Sequence, residues 1–205
     1  MNAKKTFKII AAVIVAIILI YSFVPAQQVP YQETVEMHRN ETQDFFRFDE
    51  ESPLPDSLKS EDFTLDYFAV DPAYKVRASL EKIPGREIMK IPTSDGQVRE
   101  YTRYAYAKFE LHGNEYRVTL LKPTTGEEDG LFLPFSDLTN GNSTYGGGRY
   151  LDLETTTQNK ITIDFNLAYN PYCVYSATYS CPLPPSENDL KVAIQAGERN
   201  FGEIL

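Results

Sequence analysis

The chain has 205 residues, a formal net charge of -9, 13% aromatic residues without tryptophan, and two cysteines. The first 26 residues hold three lysines and no acid, so the remainder carries -12. A body this acidic repels phosphate backbones and anionic lipid surfaces, which excludes nucleic acid as a partner; its length suffices for one domain with a real core.

Lys4, Lys5 and Lys8 precede an apolar run at residues 9–24, broken only by Tyr21 and Ser22. As a helix from Phe7 the run spans about 27 Å at 1.5 Å per residue, close to a hydrocarbon core. The basic residues before it predict a cytoplasmic N-terminus and a body outside the cytoplasm, periplasmic or at the cell surface. Residues 1–26 are either a retained transmembrane anchor or a signal peptide cut after Ala26, and in the second case the body is secreted.

Residues 27–62 are expected to be a linker and a helix. Pro30 starts that helix over residues 31–46, with Tyr31, Val35, His38, Thr42 and Phe45 on one face. The apolar stripe is thin, so docking is expected through Phe45 and Phe46. His38 is expected to be a surface or packing residue. Pro53 and Pro55 mark a loop.

The β domain is expected over residues 63–205. Residues 63–70 are an apolar, aromatic stretch ended by Asp71 and Pro72. Period-two alternation then predicts strands at residues 74–81 and 87–91. A hairpin follows, with Ala105, Ala107, Phe109 and Leu111 facing Tyr116, Val118 and Leu120 across a turn at either His112–Gly113 or Gly113–Asn114. Further strands are expected at residues 131–135, 150–153, 160–167 and 190–196. Closely spaced strands without intervening helices predict an all-β fold. The expected form is an antiparallel sandwich or barrel of about eight strands, with one docked amphipathic helix.

The candidate chemistry gathers in turn-rich segments between residues 132 and 188. Tyr145 leads a glycine run into Arg149, whose guanidinium fits a carboxylate, either a ligand's or that of Asp137, Asp152 or Asp164. The glycine run lacks the Lys-Ser/Thr and the following helix of a phosphate loop. Asp164 and Asn166 share the polar face of an expected strand that leads into Tyr169 and Asn170. Asn188 closes the group. Cys173 and Cys181, eight apart in a proline-rich loop outside the cytoplasm, are expected to form a disulfide; a nucleophilic thiol at Cys173 is the alternative. With only His38 and His112 in the chain, both expected far away, no metal and no cofactor is predicted. No serine-centred triad is visible, and nothing selects a carboxylate pair.

Leu133-Pro-Phe-Ser-Asp137, Thr144-Tyr145, Gly148-Arg-Tyr-Leu151, Asp164-Phe-Asn166, Tyr169-Asn-Pro-Tyr-Cys173, Cys181-Pro-Leu-Pro-Pro185, Asn188 and Ala196-Gly-Glu198 follow one another in the order seen in a prokaryotic family. Over residues 31–203 the chain resembles that family, domain of unknown function 1684. The resemblance implies a shared domain with no assigned activity. It also implies that Cys173 and Cys181 occur in cytoplasmic members, so a disulfide is not their whole purpose.

Three functions fit these residues. The first is a membrane-anchored binding module for a small molecule or glycan, using Asp137, Tyr145, Arg149, Asp164, Asn166, Tyr169, Asn170 and Asn188. The second is a hydrolase or thiol-dependent enzyme centred on Arg149, Asp164 and Cys173. The third is a structural or interaction domain of the cell envelope, in which Arg149 is satisfied internally.

Overall fold

The computed structural model describes residues 29–124 and 130–202. The expected anchor or signal segment lies outside the described residues. Among the described residues, no helix is long and apolar enough to cross a membrane.

Among the described residues one α-helix, α1 (Tyr31–Phe48), precedes seven strands: β1 (Lys75–Lys82), β2 (Ile88–Pro92), β3 (Val98–Leu111), β4 (Asn114–Pro123), β5 (Leu131–Phe135), β6 (Arg149–Leu153) and β7 (Lys160–Asp164). They form one antiparallel sheet in the order β6–β5–β4–β3–β1–β7, and β2 also pairs with β3. The sheet curls into a half-barrel. This corrects the expected sandwich or barrel, since neither a second sheet nor closure of β6 on β7 occurs among the described residues.

The long β3 explains the geometry. It pairs with β4 over most of its length, while β2 and β1 share its other edge in succession. Its register with β4 shifts between Arg103 and Ala105. Such a bulge bends the strand and adds twist, which turns the sheet on itself. The β3–β4 turn is His112–Gly113, with φ of 52° and 77° and Leu111 opposite Asn114. Two successive left-handed residues match the strand twist at a two-residue turn. His112 therefore sits in a turn, its ring edge-on to Tyr74 at 5.2 Å.

Alternation placed the core well. Val76, Ala78, Ala107, Phe109, Val118, Leu120, Leu133, Phe135, Leu151, Ile161 and Ile163 pack together on one face. The final segment completes this core with Leu190, Ile194 and Ala196, yet it is not the strand expected there. Its backbone bonds go instead to loop carbonyls and side chains, beginning with Leu190 N–H to Ser136 O at 2.8 Å. Residues 63–70 likewise form no strand, only an isolated bridge between Tyr67 and Glu198. Phe63 and Leu65 join Phe46, Leu54 and Tyr175 in a second apolar cluster under α1.

The helix belongs to the compact unit Tyr31–Leu205. It docks along its whole length rather than at its C-terminal end alone. Val35 is buried as fully as Phe46, the Tyr31 hydroxyl reaches Asp164, and Arg39 donates to Phe68 O and Asn166 O. Polar anchors along the helix, Gln43 and Arg47 to Phe63 O among them, replace the apolar contacts that the thin stripe lacks.

Candidate functional site

Most of the polar residues singled out from the sequence hold the fold together. Arg149, at the start of β6, is fully buried. Its Nη2 donates to Asp137 Oδ2 at 2.9 Å and to Ile194 O at 2.8 Å; its Nη1 donates to Ala196 O and to Glu198 O. Asp137 also receives Thr139 N–H at 2.8 Å and Ile194 N–H at 3.2 Å. A buried charge persists only when paired and hydrogen-bonded. Here the pair exists to serve the carbonyls of a segment that has no strand partner. Both Nη atoms of Arg149 are thus committed to bonds within the protein, while its buried Nε has no partner among the described residues.

Asp164 lies on a strand as expected, paired with Lys75 at the end of β7, but Asn166 lies beyond the strand. β7 ends at Asp164, which caps the short turn Phe165–Leu167 by accepting Asn166 N–H. Both residues are buried, and Asn166 Nδ2 donates to the Tyr31 hydroxyl and to Asp71 O. They tie α1 to the sheet. Burial and the neighbouring Asp164 carboxylate push the Tyr31 hydroxyl well above its ordinary pKa.

Asn188 behaves as a short piece of strand. Its Oδ1 accepts Thr119 N–H at 2.7 Å, while Nδ2 donates to Thr119 O at 3.0 Å and Pro134 O at 2.9 Å. β4 and β5 are in register only at Leu121 and Phe132, and the amide fills the gap beside that pair.

Two sites remain. The first is a cavity of about 430 Å³ between α1 and β6. β6 supplies Leu151 and Asp152. A backbone bridge from Tyr150 to Tyr169 sets Tyr169 and Asn170 beside them. Phe45 of α1 and Tyr172 complete an aromatic lining, with His38 also among the lining residues. The Tyr169 hydroxyl donates to Asp152 Oδ2 at 2.6 Å. Burial, then Asp152, raises its pKa far above the ordinary value.

Glu198 also lines this cavity and is almost wholly buried. It accepts Asn170 N–H and Asn170 Nδ2, each at 2.9 Å, and the Tyr175 hydroxyl. Burial pushes its carboxyl up to about 7, against the opposing pull of these donors. Gly197 makes this position reachable, with φ of 78° and backbone so close that a Cβ would lie 2.6 Å from Ala168 O. Asn170 Nδ2 is doubly used, by Glu198 Oε1 and Arg199 O, while its buried Oδ1 has no partner among the described residues. The sequence did signal Glu198. It follows Leu190, Val192, Ile194 and Ala196 at the next inward step, an acid where an apolar residue is due.

The second site is the thiol pair. Cys173 and Cys181 are free, which corrects the expected disulfide. They are nonetheless adjacent: Cys173 N–H donates to Cys181 Sγ at 3.1 Å, and the two thiols hydrogen-bond each other. The Tyr145 and Ser94 hydroxyls also bond Cys173. The Cys181 thiol, followed by these hydroxyls, pulls Cys173 down to about 6 despite partial burial; Cys181 is pushed up. Tyr145 is held there by the glycine run, since a Cβ on Gly147 would lie 2.5 Å from its ring. Among the described residues no cluster of three or more metal-ligating side chains occurs.

A family model described as a protein of unknown function, DUF1684, matches residues 61–199. The solution NMR structure of an uncharacterized protein from Haloarcula marismortui is similar, with 38% identity and a TM-score of 0.66 over 84% of this chain and 96% of that one. No curated protein matches.

Proposed function

The chain belongs to the DUF1684 family of proteins of unknown function, and we propose that its β domain binds a small polyhydroxylated molecule, a sugar or glycan end, in the cavity beneath α1. The carrying observation is Asn170, which lines a cavity walled by Phe45, Tyr169 and Tyr172 and whose buried Oδ1 has no partner among the described residues. An unmade buried hydrogen bond costs about 1–3 kcal/mol, and a ligand hydroxyl relieves that cost. Asp152 and Glu198 add acceptors, and the rings offer flat apolar faces to C–H groups. The volume, about 430 Å³, suits a ligand of one or two rings.

The same proposal places the body outside the cytoplasm, held by the basic and apolar N-terminal segment. A glycan-binding domain facing the envelope fits that placement.

Tyr172 gives the test because it is exposed, meeting Phe46 of α1 and Tyr179 only edge-on. The full chain, solubilised in detergent, is titrated calorimetrically with a panel of neutral mono- and oligosaccharides. At least one binds, and Tyr172→Ala weakens it roughly tenfold or more, as expected for loss of a central aromatic contact. Absence of binding across the panel, or binding indifferent to both Tyr172→Ala and Phe45→Ala, overturns the reading. Fusion of topology reporters to the C-terminus tests the placement.

A further inference from the structure

We infer that Cys173 and Cys181 form a working dithiol that reduces small hydroperoxides, with Cys173 as the attacking sulfur and Cys181 as the resolving one. The inference does not depend on the sugar-binding reading, although Tyr172 lines both cavities.

Three separate pieces of chain converge to build this pair. Ser94 follows β2; its hydroxyl accepts Cys181 N–H at 3.1 Å, and its own N–H donates to Cys181 O at 2.8 Å. A bridge from Thr93 to Pro182 locks the same two loops. Tyr145 arrives from the glycine run and Cys173 from the turn Tyr172–Val174. The outcome is one sulfur surrounded by hydroxyl and thiol donors, the surroundings that keep a thiol ionised and nucleophilic. The other sulfur is buried and keeps its proton. A structural cysteine pair needs none of this asymmetry.

Cys173, the attacking residue, is itself partly exposed, while Cys181 is buried at the edge of open space. That residue lines an open cavity of about 360 Å³ with Arg99, Tyr150, Tyr172 and Tyr179. The cavity admits a small oxidant and not a folded protein.

The chemistry balances as follows. The Cys173 thiolate attacks the terminal oxygen of the hydroperoxide. The S–O bond forms, the O–O bond breaks, and the departing alkoxide takes a proton from the Tyr145 hydroxyl, which solvent restores. Sulfur is oxidised by two electrons to the sulfenic acid, and the peroxide is reduced to an alcohol, or to water if it is hydrogen peroxide. Cys181 then attacks the Cys173 sulfur. The S–S bond forms, and the displaced hydroxide leaves as water with the Cys181 proton. An external small dithiol returns two electrons and two protons by thiol–disulfide exchange.

The test uses the full chain, reduced, desalted without oxygen and given one equivalent of hydrogen peroxide. At pH 5.5 about a quarter of a thiol titrating near 6 is ionised, against about one part in a thousand for an ordinary thiol near 8.5. Allowing for the weaker intrinsic nucleophilicity of an acidic thiol, oxidation is expected to run ~20-fold faster than that of free cysteine at that pH. The product is the Cys173–Cys181 disulfide, identified by peptide mass mapping. Cys181→Ser stops at a sulfenic acid on Cys173, trapped by a cyclic 1,3-diketone. Oxidation no faster than free cysteine, or Cys181→Ser without a trapped adduct on Cys173, overturns the inference. The pH profile of alkylation of the unaltered protein serves if a variant fails to fold. A midpoint near 6 at Cys173 supports the inference, and one near 8.5 overturns it.

Discussion

The guanidinium of Arg149 and the carboxylate of Asp137 meet at 2.9 Å, with neither side chain reaching solvent. Burial lowers the pKa of Arg149, and Asp137 opposes that shift. Removing one partner strands the other, which costs about 3–5 kcal/mol in comparable pairs. Arg149→Ala and Asp137→Ala are each expected to lower unfolding free energy by that amount in urea. The double variant is expected to cost less than the sum of the two.

Asn188 offers a second check on side chains acting as backbone. Asn188→Ala leaves Thr119 N–H, Thr119 O and Pro134 O buried without their partner. A loss of about 3 kcal/mol is expected. Hydrogen exchange at the Thr119 amide is expected to quicken in step with it. Asn188→Asp keeps the acceptor but sets a carboxylate against two carbonyls, so it is expected to be no better.

Glu198 makes stability depend on pH. Its folded pKa, raised to about 7 from an ordinary 4.5, means that the folded state holds a proton the unfolded state has already released. Stability from this group is therefore full below pH 4.5 and is lost as pH rises through 7. The loss is on the order of 3 kcal/mol. Thermal melts at pH 5 and pH 8 measure it, and Glu198→Gln is expected to flatten the difference.

Gly147 links backbone space to thiol chemistry. A methyl group there meets the Tyr145 ring at 2.5 Å and must push it off Cys173. Gly147→Ala is expected to leave the fold intact and to raise the pKa of Cys173 towards the ordinary thiol range. Alkylation of Cys173 at pH 6 is expected to slow by severalfold, while the rate at pH 9 stays unchanged.

Strands and core were legible in the sequence because a half-buried strand writes its own period. Ile161 and Ile163, or Ala107 and Phe109, announce an inward face without reference to the rest of the chain. The polar residues could not announce theirs. Arg149 needs carbonyls 45 to 49 residues away, and Asp164 meets Tyr31 across 133 residues. Irregular segments leave backbone groups without ladder partners, and each such group needs a bond. Asp137, Asn166 and Asn188 serve that need, so they resemble ligand-binding groups in composition while being satisfied internally. Tyr169 and Asn170, also singled out from the sequence, do line a cavity. Cys173 and Cys181 come together as expected, but as thiols.

The carbonyls that receive Arg149 belong to Ile194, Ala196 and Glu198, behind every strand in chain order. During synthesis, all seven strands are made before those carbonyls exist. Until then the half-barrel encloses a cation with too few acceptors and an open wall where Leu190 and Ile194 belong. A polypeptide broken off before residue 194 carries every strand and is expected to be far less stable than the whole. The last irregular segment, rather than any strand, is therefore expected to decide when the half-barrel becomes stable.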